Sequence, residues 1–419
     1  MRTRTPLTPA DSPSLLRQMN LAVVLREIRR SGPISRPTIA RETGLSNPTV
    51  THVVQLLLDK GYVVETGSGA DSPEPKRPGP RARYLTFRSD LGYLLGIDSG
   101  ADNTVSKLAD LSGTILATAR MAHDRDPDRA HVLNAIRTTS AEVLAQAGVT
   151  ASQLRAVVIG TPGVVDPVTG ELSLAPQIEG WEGLALADEL RDLAGCPIVA
   201  ENEANLSLLA ERWQGGAQAT DHVVYVQFGV GIGGALLVGG ELYRGSAGAA
   251  GEFAYLATTD PEEEDPRRSS AGRFEWFAGG GAYQRHGAEA ARRPEGALLL
   301  ELAGGDPDAV TARVVFEAAA HSDPAATRIA DELLARVGRG LANIATVLNP
   351  SLILIGGGIS TAGNLVLEPI QRLVTQLVPY PPRIELSRLG ANGTVLGAVR
   401  RAMQIANERL YNFTDELPH

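Results

Sequence analysis

Residues 33–58 read PISRPTIARETGLSNPTVTHVVQLLL, and the fold of the N-terminal part is decided by this stretch. It contains two helix starts. Ser35 precedes Arg36 and Pro37, and Ser46 precedes Asn47 and Pro48. A serine hydroxyl that can take an orphan amide, with proline in the first turn, marks a helix N-terminus. Thr43-Gly44-Leu45 between the two is a tight turn that glycine makes at low cost. Ile39 and Ala40, Leu45, and Val50, Val54 and Leu57 give apolar faces that can close on each other. The spacing is that of a helix-turn-helix whose second helix offers its first turns to the major groove of DNA. The candidate DNA contacts are Arg36 and Ser46 at the helix starts, and Asn47, Thr49, Thr51 and His52. A helical hairpin inside a core shares this pattern, so context must choose between the two.

The context is a wing. LLRQMNLAVVLREIRRSG before the stretch is a basic amphipathic helix with Leu21, Val24, Leu25 and Ile28 on one side. After it come GYVVETG, a Pro/Gly-rich basic loop, and ARYLTF, which read as two short strands around a loop. Three helices and such a hairpin make a winged helix-turn-helix. Arg77 and Arg81 in the loop are candidates for the minor groove, where a narrow A·T-rich tract deepens the negative potential. The alternative is a solvated turn.

Charge supports the DNA reading. Residues 1–88 hold 14 Lys+Arg against 7 Asp+Glu, net +7, while the rest of the chain carries net −16. A basic head on an acidic body suits a polyanion-binding module joined to something that is not one. A chain of 419 residues, 43% hydrophobic, holds two or three domains. There is no apolar run of membrane-spanning length and no secretory signal, and the single cysteine, Cys196, excludes an internal disulfide. These features fit a cytoplasmic protein.

From Tyr93 the pattern changes. A strand ending in Asp98, two more strands, a helix (HVLNAIRTTSAEVLAQAGV) and a buried strand (RAVVIGTPGVVDP) follow in order. PIVAENEANLSLLAERW is a strand and then a helix starting near Asn202, and HVVYVQFGVGIGGALLVGGELYRG is two strands around a Gly-rich hairpin. DELLARVGRGLANIATVLNP and SLILIGGGIS repeat the helix–strand–glycine arrangement, and LGANGTVLGAVRRAM is a last turn and helix. Two α/β lobes with a cleft between them result. The expected division is a flexible tail at 1–13, the winged head at 14–88, a first lobe at 89–205, a second at 206–400, and a C-terminal helix and tail at 401–419 returning to the first lobe.

Taken together, GID at 96–98, GTPGVVDPVTG at 160–170, ENEAN at 201–205, FGVGIGGALLVGG at 228–240, GAAGEFAY at 248–255 and NPSLILIGGGI at 349–359 resemble the ROK family of repressors, open reading frames and sugar kinases, in its repressor branch. The resemblance implies a two-lobed sugar-kinase/actin-like (ribonuclease H-like) body that senses a carbohydrate and controls the DNA-binding head. It also implies where a sugar would sit: Gly163, Asn202, Glu203, Glu252, Tyr255 and Glu275. Departures from the kinase pattern argue against catalysis. The phosphate turn reads Asp98-Ser99-Gly100-Ala101-Asp102, with a glycine and the threonine replaced and a negative charge added. The second phosphate loop, Gly229 to Gly234, lacks its hydroxyl; its glycines are expected where a hairpin needs positive φ. Glu203 stands at the position of the kinase aspartate, its carboxylate displaced by a methylene. Tyr255 replaces the family's histidine, and no cysteines follow it to hold the family's zinc, so neither metal nor cofactor is expected.

The expected function is sequence-specific transcriptional regulation without enzymatic activity: repression of carbohydrate genes, with operator binding controlled by a sugar or sugar phosphate. The expected partners are a double-stranded DNA operator, a carbohydrate effector and a second copy of the chain, as homodimer or homotetramer. A DNA-binding protein with a ligand-blind oligomerisation body, or an active sugar kinase, remain the alternatives.

Overall fold

The computed structural model describes residues 12–66, 83–123, 127–258 and 272–411. The head consists of α1 (Ser12–Ser31), β1 (Ile34–Ser35), α2 (Arg36–Thr43), α3 (Asn47–Asp59), β2 (Val63–Thr66) and β3 (Tyr84–Phe87). Both helix starts form as the sequence dictates. The Thr38 amide donates to Ser35 Oγ at 3.4 Å, and the Thr49 amide to Ser46 Oγ at 3.3 Å. Gly44 ends α2 at φ 70°. The strands pair antiparallel in the order β1-β3-β2. The two-residue β1 is too short to be read from sequence. Leu21, Val24, Leu25, Ile28, Ile39, Val50, Val54 and Leu57 close into one core against Leu85 of the wing.

The first lobe begins with the antiparallel meander β4 (Tyr93–Ser99), β5 (Asn103–Asp110) and β6 (Ile115–Ala122). Helix α4 (Arg129–Ala147) crosses to β7 (Leu154–Thr161), parallel to β4. A small ladder, β8 (Val164–Val165) and β9 (Leu172–Ser173), and the short α5 (Leu186–Glu189) precede β10 (Ile198–Asn202), parallel to β7. The sheet order is β10-β7-β4-β5-β6. Trp181 is fully buried beneath it and donates its indole N–H to Thr161 Oγ1 at 2.7 Å.

Helix α6 (Glu203–Gln214) leads to β11 (Val223–Phe228), β12 (Ile232–Val238) and β13 (Glu241–Tyr243), again an antiparallel meander. Helices α7 (Arg273–Ala278), α8 (Gly280–Ala291), α9 (Ala297–Leu302), α10 (Ala312–Ala320) and α11 (Pro324–Leu348) follow. Then come β14 (Leu352–Gly356), α12 (Asn364–Leu377), β15 (Arg383–Leu386) and α13 (Gly393–Leu410). This sheet runs β13-β12-β11-β14-β15, with β14 and β15 parallel. Each sheet is therefore a three-strand meander with two parallel strands added beside its first strand. The lobes are two copies of one plan.

Two boundaries differ from the sequence reading. The division at 205/206 falls inside α6, which packs against both lobes. The return to the first lobe starts at Gly393 and not at 401, because α13 is a single helix lying on β4, β7 and α6. Its close seat needs glycine: a Cβ at Gly397 would stand 1.8 Å from the Leu206 carbonyl oxygen.

The far end of α13 reaches the head. Leu410 is buried in the head's own core. Arg29 of α1 donates to Asn407 Oδ1, to the Leu111 carbonyl and to Tyr411 Oη, and its guanidinium lies 4.7 Å from the Phe87 ring centroid. Head and body thus share a wall.

Candidate functional site

On the head, α3 buries Val50, Val53, Val54 and Leu57, and this burial leaves the opposite face outward. Asn47, Thr51 and His52 are exposed on that face, and Thr49 is half-buried. The sequence reading omitted Gln55, one turn beyond Thr51 and equally exposed; it donates to Asp59 Oδ1 at 2.8 Å. Ser46 caps α3, and its hydroxyl also lies 2.8 Å from Thr49 Oγ1. Arg36 turns inward to pair with Glu65 Oε1 of the wing at 2.6 Å, where Arg83 also binds Glu65 at 2.7 Å. Its guanidinium braces wing to helix. Arg77 and Arg81 lie outside the described residues.

In the body, the expected ligand residues come from both lobes. Asn202 ends β10 and caps α6, its Oδ1 accepting the amides of Ala204 at 2.9 Å and Asn205 at 3.1 Å. Its Nδ2 donates to the Gly163 carbonyl at 2.8 Å. Asn202 and Gly163 therefore bind each other, and their first role is to set the start of α6. That placement fixes Glu203, whose Oε1 accepts from Gln227 Nε2 at 2.8 Å. From the second lobe, Glu252 follows Gly251 and opens a single 3₁₀ turn that carries Tyr255, 46% exposed. Glu275 on α7 accepts the Ile232 amide at 2.9 Å.

These groups form a row of carboxyls. Burial, then the Glu203 charge, pushes Asp98 up to about 8. Burial, then Glu252, pushes Glu203 up to about 7. Burial raises Glu252, with Glu275 adding to it, and burial raises Glu275 itself. Tyr255 is raised by burial and then by Glu252, Glu275 and Glu182. Asp98, Glu203 and Glu252 each feel the next acid in the row, as neighbouring carboxyls in one cleft do. Asp98 and Glu182 are the members that the sequence reading left out of the sugar site. Asp98 closes the GID motif, and that position at a strand end was the available signal.

The Gly-rich hairpin is explained differently from the sequence reading. None of Gly229, Gly231, Gly233 and Gly234 has positive φ. Space is the reason at two of them. A Cβ at Gly231 would lie 2.4 Å from Glu275 Oε2, and one at Gly234 would lie 2.2 Å from the Phe253 ring. The hairpin amides are also engaged: Gly229 donates to the Gly231 carbonyl at 3.0 Å, and Ile232 to Glu275. The Gly100 amide in the Asp98 turn donates to Asn103 O at 3.1 Å. A nucleotide's phosphates would compete with these partners and with Asp102. The family's zinc is not fitted either. The chain's one cysteine, Cys196, stands in the other lobe, and among the described residues no three acidic, histidine or cysteine side chains gather to hold an ion.

Comparison with known proteins agrees with this anatomy. The ROK family profile matches residues 94–404, and the MarR family profile matches residues 22–72. The chain is 26% identical over 390 residues to the xylose repressor of Caldicellulosiruptor bescii, spanning 92% of this chain and 96% of that one. It is 32% identical over 284 residues to the glucokinase of Streptomyces coelicolor, covering 67% of this chain and 87% of the enzyme. The crystal structure of a ROK family transcriptional regulator, a homologue of the Escherichia coli MLC protein, superposes with a TM-score of 0.73 over 94% of this chain and 98% of its own, at 22% identity. A Streptomyces griseus ROK glucokinase in complex with glucose and AMPPNP gives a TM-score of 0.65 at 31% identity, over 75% of this chain and all of that one (100%). The chain is a DNA-binding regulator with a kinase-like body. It belongs to the ROK family, in the repressor branch.

Proposed function

We propose that the interlobe cleft binds a neutral carbohydrate, and that its occupancy sets the affinity of the head for a DNA operator. The observation that carries this reading is the meeting of Asp98 and Glu203 with Glu252 and Glu275 from the other lobe, all four carboxyls raised by burial and the first three also by a neighbouring carboxyl. Sugar hydroxyls are donors that such acceptors need, and Tyr255 at the exposed edge adds a stacking face and a hydroxyl. A phosphate dianion in the same cleft would meet like charge. The body acts as a sensor and not as a kinase, since the Gly100, Gly229 and Ile232 amides of the two phosphate loops are already paired and Glu203 replaces the aspartate.

The chain works in the cytoplasm as a homo-oligomer, two heads reading half-sites separated by whole helical turns. The sugar must prefer one arrangement of the lobes; a preference of about 100-fold corresponds to about 2.7 kcal/mol of coupling. The test is operator binding by the purified protein, followed by fluorescence anisotropy, with neutral mono- and disaccharides titrated in. One sugar is expected to weaken binding by about tenfold or more. The double variant Glu252→Gln with Glu275→Gln should keep operator affinity and lose that response. Tight operator binding untouched by every sugar would sink the sensor and leave a body that only assembles.

A further inference from the structure

A second cavity, of about 510 Å³, opens between the C-terminal turns of α6, the β12–β13 turn and α13. Four arginines line it: Arg212, Arg244, Arg400 and Arg401. Two are matched. Arg212 binds Asp221 at 2.7 Å and three backbone carbonyls. Arg244 holds the buried Glu201 with two N–H groups, at 2.8 and 2.6 Å. The other two are not matched. Among the described residues Arg400 has only Met403 Sδ at 3.4 Å and the Trp213 ring centroid at 6.0 Å. Arg401 donates to Gln404 Oε1 at 3.4 Å, and its buried Nε finds no acceptor among the described residues. Among the described residues neither reaches a carboxylate within 4.0 Å, although Glu241 and Glu408 stand exposed in the lining.

Burial first, then the charge of Arg29, holds the Arg400 guanidinium below its usual range. Two neighbouring guanidiniums on one helix, partly buried and lacking an anion, are costly unless something answers them. Guanidinium geometry suits the oxygens of a phosphate, which it can bind in pairs. Beside Leu209, Trp213 and Leu242, the remaining polar lining of Gln218, Gln404 and the rim glutamates suits hydroxyl groups, and a bare ion would fill little of the volume.

We infer that this cavity is a second effector site, separate from the acidic cleft, for the phosphate monoester of a small polyhydroxy compound seated on Arg400 and Arg401. The charge of the two sites sorts their ligands: the acidic cleft takes the neutral sugar, the arginine cavity takes the phosphorylated one.

The experiment is thermal unfolding of the full chain at constant ionic strength with glucose 6-phosphate, xylulose 5-phosphate and fructose 1,6-bisphosphate, against glucose and inorganic phosphate. At least one ester is expected to raise the midpoint by about 3 °C at concentrations well above its Kd. Arg401→Gln should remove that shift, and Arg400→Gln should do the same if circular dichroism shows the first variant misfolded. The cleft variant, Glu252→Gln with Glu275→Gln, should retain it, so failure here is distinguishable from failure of the sugar site. The inference is overturned if no ester shifts the midpoint, or if the shift survives both arginine variants. It is equally overturned if the shift disappears in the cleft variant alone, or if inorganic phosphate matches the esters.

Discussion

Glu203 shows how one carboxyl can record the state of a site. Burial, then Glu252, raises it to about 7 from the ordinary carboxylate range, so the folded chain holds its proton more tightly than the unfolded chain does. The group therefore costs stability as pH rises from about 4.5 to 7, and the full cost remains above that window. Glu203→Gln keeps the hydrogen bond to Gln227 and removes the titration. The variant should match the wild type near pH 4 and exceed it by roughly 1–3 kcal/mol at pH 8, as read from denaturant midpoints. Equal stabilities at pH 8 would show a well-solvated carboxylate. At this scale the sequence was legible in residue type and less so in reason. The placement of Glu252 and Glu275 could be expected from their motifs, but the glycines opposite them could not be understood from the chain alone. Gly231 and Gly234 make room for Glu275 and Phe253, residues distant in sequence and close only in the fold.

Among the elements, α3 was the most legible, because its cap, its first-turn proline and its apolar spacing are all local. What sequence could not show is which polar residues the fold engages elsewhere. Arg36 is an inward brace to Glu65, a partner on another element, and Gln55 joins the outward face. Thr51→Ala with His52→Ala should therefore weaken specific operator binding by roughly 1–3 kcal/mol while sparing nonspecific binding, as base-edge contacts do. Competition anisotropy against random DNA measures this. A parallel loss on both DNAs would place these side chains at phosphates. Helix α12 and strand β15 were not read from the sequence: β15 is only four residues long, whereas α12 does carry a helical signature in Val366, Ile370 and Val374, spaced four apart on its buried face. Their places follow from the sheet that they complete.

For the whole molecule, the strand–glycine repetition announced two lobes, and the structure shows that both follow one strand order. The joint between body and head was not legible, since it depends on α13 running along the first lobe and ending in the head. Leu410 is buried among the head's own residues. Leu410→Ala should destabilise the head by about 2–4 kcal/mol, seen as faster hydrogen exchange in α1 and α3 with the second-lobe strands unchanged. Unchanged exchange in α1 would mean that the head closes without this residue.

That shared wall also bears on how the protein is made. The ribosome delivers α1, α2 and α3 first and α13 after every other described element. Throughout synthesis the reading head lacks one side of its core, and Arg29 lacks the helix that it grips. A nascent or truncated chain therefore carries a head whose core lacks Leu410. The head's core is complete only when the kinase-like body is already built.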